Sequence, residues 1–216
     1  MFKIIENIIN IYKNNSFLLI ISLMSLVIII IAKLFYNNFR GYMGEYWLKK
    51  ELNKLPKNNY KVLNNIMISS NNTTYQIDHI VISCYGIFVI EMKNYYGKIY
   101  GNEYKKYWYQ YVNGNKRLFY NPIYQNYGHI KALANILNKK EDIFISIVCF
   151  SNQSKLNIKS ENIVTQLDYV KDIILKYNDK ILINEIDKIK KTIEIFNIKD
   201  KKIRKDHIKK IKEKIN

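Results

Sequence analysis

The sequence predicts an α/β domain preceded by one transmembrane helix. Residues 17–32 (FLLIISLMSLVIIIIA) contain no charge and no helix breaker, which is typical of a membrane helix. From residue 41 onward, helical patterns alternate with short apolar runs, as in α/β domains. We therefore expect a short N-terminal segment (1–15), a transmembrane helix (16–36), an α/β core (37–150) and a helical, basic C-terminal part of the same domain (151–216).

The apolar segment is long enough to cross a bilayer. If the charged end of Lys33 reaches the headgroups, the stretch approaches the ~20 residues that span a ~30 Å hydrocarbon core. A cleaved signal peptide is the alternative, but no small-x-small cleavage motif follows. More Lys and Arg residues follow the segment than precede it, which predicts a cell-membrane protein with its C-terminal domain in the cytoplasm. Cys84 and Cys149, outside any CxxC motif, fit a reducing compartment.

The net charge of +17 indicates a polyanionic partner, either nucleic acid or an anionic membrane surface. Genome composition is the competing explanation, because Lys, Asn, Ile and Tyr, which have AT-rich codons, are all abundant. The charge alone therefore does not establish nucleic-acid binding. The three scattered histidines have no zinc-site spacing.

The first helix of the core is predicted over residues 41–55. Leu48, Leu52 and Leu55 form its apolar stripe, and Pro56 follows its end. Glu45 falls on the same stripe, where it needs a polar partner or serves the helix start. The other predicted elements are a strand over 60–68, a polar loop over 69–74, strands over 75–84 and 87–93, a hairpin of 108–112 with 117–119 around Asn113-Gly114, a helix over 121–137, a buried strand over 143–150, and helices near 166–177, 184–196 and 203–215.

The hairpin over residues 75–93 brings charged residues together. If residues 85 and 86 form a two-residue loop, Asp78 lies opposite Lys93 and Ile80 lies opposite Glu91. Because side chains alternate along a strand, Asp78, Glu91 and Lys93 then share one face. A four-residue loop keeps this arrangement by pairing Asp78 with Glu91, whereas a three-residue loop without a bulge breaks it.

Two carboxylates and one lysine suit the cleavage of phosphodiesters. Two carboxylates can hold Mg²⁺ and leave coordination positions for phosphate and water. The metal polarises a phosphoryl oxygen, and Lys93 orients the water or stabilises the charge of the transition state. The alternative is a structural cross-strand ion pair, which contributes less than ~1 kcal/mol when exposed.

The motifs around these residues resemble a known family. An aspartate followed about a dozen residues later by E-x-K is the pattern of the PD-(D/E)XK nucleases, although Ile77 replaces the proline of that signature. The chain resembles the nuclease-related domain (NERD) family through G-x-x-G-E (41–45), Q-I-D-H (76–79), G-I-F-V-I-E-M-K-N (86–94), G-x-I-x-G (97–101) and N-P-I-x-Q-N-x-x-H (121–129). The resemblance covers residues 41–150, with a weaker match in the helical tail.

The resemblance implies a restriction-endonuclease-like core, with a central mixed β-sheet flanked by helices. It implies a Mg²⁺ cofactor, with Mn²⁺ as a substitute, and assigns Asp78 and Glu91 as metal ligands and Lys93 as the catalytic lysine. Glu45 resembles an additional acidic residue that organises metal or water, and Gln76 is expected to reach the site from the face of Asp78.

Three further residues are expected on the substrate side of the site. Gln125 matches a glutamine on the helix after the core strands, with a helix cap or an inter-element hydrogen bond as the alternative. His129 lies four residues later on the same helical face, and Asn94 follows the E-x-K motif. His79 alternates to the opposite face, so we expect it to make a hydrogen bond in the core.

These observations predict a membrane-anchored, metal-dependent nuclease that acts on nucleic acid, with DNA favoured over RNA. A non-catalytic, membrane-tethered module that binds nucleic acid or protein is the alternative. A peripheral scaffold on anionic lipid is a third hypothesis. The aromatic residues of 104–111 can stack on bases or pack in the core, and the basic tail 199–214 can contact phosphates, lipid headgroups or solvent.

Overall fold

The computed structural model of the chain describes residues 2–13, 16–179 and 185–215, which belong to two compact units, residues 1–42 and 43–216. The first unit contains helix α1 (Phe2–Lys13) and the beginning of helix α2 (Ser16–Leu52). The helix predicted from residue 41 is thus the end of a longer one, and residue 36 is not a helix boundary. The predicted transmembrane helix over 16–36 is not confirmed: among the described residues, no helix is long and apolar enough to cross a membrane.

The described part of the second unit alternates strands and helices. Its strands are β1 (Tyr60–Ser70), β2 (Thr73–Ser83), β3 (Gly86–Lys93), β4 (Gly97–Asn102), β5 (Tyr107–Val112), β6 (Asn115–Tyr120), β7 (Phe144–Phe150), β8 (Ser154–Lys159) and β9 (Ile163–Gln166). The helices after α2 are α3 (Pro122–Leu137), α4 (Val170–Leu175), α5 (Ile186–Phe196) and α6 (Lys201–Ile215).

A five-stranded sheet forms the centre of this unit, in the order β1-β2-β3-β7-β9. The first three strands are antiparallel, whereas β3, β7 and β9 run parallel to one another. The apolar run that predicted β7 is explained by this position, because a strand between parallel neighbours is covered on both faces. The α/β class with a mixed sheet flanked by helices is therefore confirmed.

Two apolar cores lie on opposite faces of this sheet. On one face, side chains of α3 and α5 such as Leu133 and Ile193 pack against Ile80 and Val89. On the other face, the predicted leucine stripe of α2 packs with α4 against Phe88 and the neighbouring strands. Since residues of β3 alternate between the cores, the residues that continue the Val89 row emerge on the α3 face.

The second sheet has the order β6-β5-β4-β8. The predicted hairpin about Asn113-Gly114 is confirmed, with φ of 48° and 80° at the two turn residues, as an Asn-Gly hairpin turn requires. Trp108 on β5 is fully buried and stacks on Phe150 at a centroid distance of 6.4 Å. At least this member of the aromatic cluster is therefore a core residue.

The register of the β2–β3 hairpin differs by two positions from the one that a loop at residues 85 and 86 predicts; continued by one residue, it is the alternative register in which Asp78 faces Glu91. Ser83 pairs with Gly86 and Ile80 pairs with Val89, so the loop is Cys84-Tyr85. Ser83 stabilises this loop, because its Oγ accepts a hydrogen bond from Tyr85 N at 3.1 Å and donates one to Gly86 O at 3.2 Å. A shift of two residues leaves every side chain on its predicted face.

Two other predictions about local structure are wrong. The expected polar loop 69–74 is a tight turn between β1 and β2, in which Asn71 and Asn72 have φ of 49° and 59°. Asparagine tolerates this left-handed region, so two residues suffice for the turn. The part after residue 150 is not purely helical, because β8 and β9 extend the two sheets before α4 begins. The first residue of the helix predicted over 184–196 lies outside the described residues.

Candidate active site

The open end of the β2–β3 hairpin brings two carboxylates and a lysine together. Lys93 Nζ donates a hydrogen bond to Glu91 Oε1 at 2.6 Å. Asp78 Oδ2 accepts a hydrogen bond from Met92 N at 2.9 Å, which places this carboxylate at the end of β3. Glu91 is buried and Lys93 is half-buried. The structure thus contains the cluster that strand alternation predicts, whereas the roles of its members stay predictions.

Asp78 occupies an interruption in the sheet. The β1–β2 register omits the pair of Asn65 with Asp78, and Asn65 has a φ of 53° within a strand. On the other side, the β2–β3 register ends at His79 and Ile90. At this point the Asp78 carboxylate accepts the hydrogen bond of the Met92 backbone N–H. Left-handed backbone inside a strand interrupts the ladder, and asparagine adopts it more readily than most residues do.

The charges of this cluster are strongly coupled. Burial raises the pKa of Asp78 well above its usual range, and the nearby carboxylates of Glu91 and Glu45 raise it further. Burial alone would lower the pKa of Lys93, but Glu91, with smaller contributions from Tyr95 and Asp78, outweighs it and raises that pKa. Lys93 is therefore a cation at neutral pH, and this single ammonium faces three carboxyl groups.

Helix α3 is held in a defined position above this end of the sheet. Asn121 caps its start by accepting a hydrogen bond from Ile123 N at 2.9 Å, and proline follows at the first helical position. Asn126 is fully buried and donates from Nδ2 to Val89 O and Ser146 Oγ, both at 2.8 Å. These bonds join α3 to β3 and β7, and they account for the asparagines of the N-P-I-x-Q-N motif.

Two side chains of α3 reach the charged cluster. Gln125 Oε1 accepts a hydrogen bond from Lys93 Nζ at 2.9 Å. One turn later, His129 Nδ1 lies 3.5 Å from Glu91 Oε2. Burial lowers the pKa of His129, and the Lys93 charge lowers it too, although Glu91 opposes them. The imidazole is therefore neutral at pH 7, and Gln125 contacts the lysine directly.

Helix α2 closes the cluster from another side. Glu45 is partly buried; burial raises its pKa, and the Glu91 carboxylate adds to the effect, so its carboxyl lies within the field of the cluster. A Cβ at the preceding residue, Gly44, would lie 2.6 Å from Asn94 Cβ and 3.0 Å from Met92 Cε. This contact explains the glycine of the G-x-x-G-E motif: only glycine lets the helix approach the end of β3. Asn94 is therefore packed against α2.

Two predicted residues point elsewhere. Gln76 donates a hydrogen bond from Nε2 to Asn65 Oδ1 at 3.1 Å, so it bonds to β1 instead of the charged cluster. His79 is 1% exposed, and its Nδ1 lies 2.7 Å from Asn64 Oδ1. The core hydrogen bond predicted for His79 is confirmed. Gln76 is thus bonded to the residue that stands opposite Asp78, and its role in the site stays a prediction.

Comparison with known proteins assigns the family. The model of the nuclease-related domain matches residues 40–151, which include all the cluster residues described above. The chain belongs to the nuclease-related domain family. It is also 38% identical over 185 residues to an uncharacterized protein of Bacillus anthracis, a match that covers 83% of this chain and 87% of that protein. No solved structure matches the chain.

The donor atoms of this NERD cluster suit a hard divalent cation. Glu91 Oε2 and His129 Nδ1 are buried, and neither has a hydrogen-bond partner among the described residues. Asp78 keeps one carboxylate oxygen beyond the one bonded to Met92, and a bound cation would relieve the mutual repulsion of the carboxyl groups that raises its pKa. Within the described residues, no three His, Cys, Asp or Glu side chains form a group that could hold a metal. A cation here would therefore be held by Asp78 and Glu91 with waters, which is a donor set that Mg²⁺ accepts.

Some residues that shape the site were not predicted from the sequence. Asn65 interrupts β1 opposite Asp78, and Tyr95 adds to the field at Lys93. Asn126 fixes α3. The motif of 121–129 contains Asn126, so the motif itself could have identified it. The backbone of Asn65 has no comparable sequence pattern, since asparagine is abundant throughout this chain.

Proposed function

We propose that this chain is a metal-dependent nuclease that hydrolyses phosphodiester bonds in nucleic acid, with DNA as the favoured substrate. The observation that carries the proposal is the cluster of Asp78, Glu91 and Lys93, with Gln125 bonded to the lysine. The family assignment supports a nuclease-related function. The restriction-endonuclease-like arrangement of the core is part of this proposal.

The side chains would divide the work as follows. Asp78 and Glu91 hold Mg²⁺ or Mn²⁺, which when bound supplies Lewis-acid polarisation of a phosphoryl oxygen and a more acidic water. Lys93 stays protonated, so it stabilises developing negative charge instead of accepting a proton. Glu91 and Gln125 hold the Lys93 ammonium in place from two sides. Glu45 is in a position to orient water at the edge of the cluster.

The test is cleavage by the full-length chain in a non-ionic detergent. Plasmid, linear duplex, single-stranded DNA and RNA are incubated with Mg²⁺, Mn²⁺ or EDTA. We expect metal-dependent cleavage that falls by about 10²–10³-fold in Lys93→Gln, because one positioned charge stabiliser is lost, and an equal or larger loss in Asp78→Asn. Asp172→Asn and Lys176→Gln are matched controls, since both residues are exposed and lie on or next to α4.

Each alternative outcome has a distinct meaning. Cleavage that persists in both site variants would locate the chemistry elsewhere and contradict the proposal. A folded protein that binds nucleic acid without cleaving it under any metal condition would support the non-catalytic binding module. Full activity in EDTA would contradict metal dependence.

We propose separately that residues 16–36 attach the protein to the cell membrane, with the second unit in the cytoplasm. The large apolar side chains of this helix that the structure describes are exposed, from Phe17 at 71% to Ile31 at 49%. Exposed apolar patches of this kind mark contacts with lipid or protein. The test is extraction of cell membranes with alkaline carbonate, which retains inserted proteins and releases peripheral ones. Recovery in the carbonate-soluble fraction would contradict the proposal.

A further inference from the structure

The C-terminal helix α6 is the most basic element of the second unit. Its sequence, KKIRKDHIKKIKEKI, contains eight Lys or Arg residues and two acidic ones. The side chains of Lys201, Lys202, Lys205, Lys209 and Lys210 are exposed. Lys201, Lys205 and Lys209 recur every four residues, so they form one row along the helix with a spacing of ~6 Å. This row is a line of positive charge that takes no part in either apolar core of the five-stranded sheet.

Specific hydrogen bonds hold α6 against the edge of the five-stranded sheet. Arg204 Nη2 donates to Asn65 O at 2.9 Å and to Asn65 Oδ1 at 2.6 Å, while Nη1 donates to Ile198 O at 2.7 Å. His207 is 9% exposed, and its Nδ1 lies 2.8 Å from Thr74 Oγ1. Asp200 caps the start of the helix by accepting from Lys202 N at 2.8 Å. The helix is therefore positioned by its polar face, and the lysine row is left exposed.

This position is beside the charged cluster. Asn65, which binds Arg204, stands opposite Asp78 at the interruption of the β1–β2 ladder. On the other anchor, Thr74, which bonds to His207, precedes Tyr75, whose ring lies edge-on to the His129 imidazole at a centroid distance of 6.3 Å. His129 in turn lies 3.5 Å from Glu91. Arg204 and His207, the two residues that anchor α6, are thus each connected to the charged cluster through a few contacts.

We propose that α6 is the phosphate-binding arm of the substrate site, where Lys201, Lys205 and Lys209 hold the nucleic-acid backbone next to the bond that is cleaved. This inference rests on the proposed nuclease function. Contacts to phosphates position a substrate without reading its sequence, so the arm confers affinity and no base preference. Anionic lipid would also attract these lysines. A nucleic acid is favoured because α6 is bonded to Asn65, which stands opposite Asp78, and a chain of phosphodiesters is long enough to extend from the cluster along the row.

The experiment compares two triple variants of the full-length chain with equal loss of charge. The test variant carries Lys201→Gln, Lys205→Gln and Lys209→Gln. The control carries Lys57→Gln, Lys140→Gln and Lys176→Gln; these lysines are exposed and lie near the opposite end of the sheet, beside the starts of β1 and β7 and the end of α4. Circular dichroism and thermal melting check that both variants are folded.

Binding of a fluorescent DNA duplex is measured by anisotropy between 50 and 200 mM KCl, with EDTA present so that cleavage does not interfere. Each phosphate contact contributes about 0.9 to the slope of log affinity against log salt, so the test variant should lose up to ~2.7 from that slope. The control should keep the wild-type slope. With metal, the test variant should show a raised KM and an unchanged kcat, because the catalytic cluster is intact.

Three results would overturn the inference. An unchanged slope in the test variant excludes α6 as the arm, and equal losses in both variants indicate that only overall charge matters. Weakened binding to phosphatidylglycerol vesicles with an unchanged DNA slope assigns α6 to lipid instead. Failure of the nuclease proposal can be told apart from failure of this inference. If the wild type never cleaves DNA but its salt slope exceeds that of the test variant as expected, the catalytic proposal is contradicted and the role of α6 in binding DNA is supported.

Discussion

The two ends of the β2–β3 hairpin are built on opposite principles. At the turn end, Ile80, Ile82, Ile87 and Val89 are fully buried and follow a regular ladder. At the open end, the register stops and Asp78, Glu91 and Lys93 are gathered in a partly buried cluster. Burying carboxylates beside one another is costly. The turn end therefore supplies stability, whereas the open end has an arrangement that chemistry explains better than stability does.

Loss of apolar volume near the turn should lower stability without changing the charged cluster. Phe88 is fully buried and packs edge-on against Tyr177 at a centroid distance of 5.1 Å. We expect Phe88→Ala to lower the free energy of unfolding by about 3–5 kcal/mol through lost burial and a cavity. Urea unfolding followed by tryptophan fluorescence measures the change. Cleavage per folded molecule should be unchanged, and Phe196→Ala, at a 48%-exposed position, is the control.

A loss of cleavage per folded Phe88→Ala molecule would mean that the two ends are not independent. The core packing would then transmit strain to the charged cluster through β3. Normal specific activity in the destabilised protein would support independent roles for the turn end and the open end of the hairpin.

The Asp78 carboxyl should lower the stability of the metal-free protein at neutral pH. Because the folded-state pKa of Asp78 is raised, its contribution to stability is present below the ordinary pKa and is lost as pH rises through the raised one. At neutral pH without metal, Asp78→Asn should therefore be more stable than the wild type. Mg²⁺ at a hundred times its Kd should stabilise the wild type by about 2.7 kcal/mol and leave the variant unchanged.

Thermal melting with and without Mg²⁺ provides the measurement, and Asp172→Asn is the control for an exposed aspartate. A metal-free Asp78→Asn protein that is less stable than the wild type would show that this carboxylate has a structural role. Equal stabilisation of both proteins by Mg²⁺ would place the cation elsewhere.

The third prediction uses His79, which lies next to Asp78 in the chain and on the opposite face. Burial, with a smaller effect of Lys49, lowers the pKa of His79 to about 4. A lowered pKa gives stability that is complete above the ordinary value near 6.5 and is lost as pH falls. Between pH 7.5 and 5 the loss should be about 2 kcal/mol. His79→Gln should remove this part of the pH dependence, as urea unfolding at both pH values can show; an identical pH dependence would contradict it.

Elements of this fold that depend on interactions between residues close in sequence were predictable, and those that depend on distant residues were not. Strand alternation and the Asn-Gly turn are local, and the elements that depend on them are confirmed. The strand β8 was missed because half of its residues are exposed and its pairing with β4 bridges more than fifty residues. The hairpin register differs by two from the one that a loop at residues 85 and 86 predicts because Ser83 stabilises an earlier turn, yet the parity that places Asp78 with Glu91 is independent of such a shift.

The same distinction separates the two glutamines that the motifs singled out. Helical spacing and the sheet crossover place Gln125 over Lys93, and this position depends on the well-anchored helix α3. Gln76 is on the same face, but its amide bonds to the side chain of Asn65, a residue with a left-handed backbone. The alternation of side chains along a strand determines the face on which a side chain lies. Its hydrogen-bond partner also depends on backbone geometry that no local sequence pattern predicts.

The smallest effect we predict tests that distinction. Gln125→Met removes one hydrogen bond from the Lys93 ammonium, which corresponds to about 0.5–1.5 kcal/mol, or a kcat lower by a factor of about 2 to 13. Gln76→Met removes a bond to Asn65 and should change kcat by less than about twofold, because its partner is outside the charged cluster. Steady-state cleavage of one duplex by both variants compares them directly. Equal losses would mean that Gln76 leaves Asn65 and contacts the substrate when nucleic acid binds, since its face already allows it to reach the cluster.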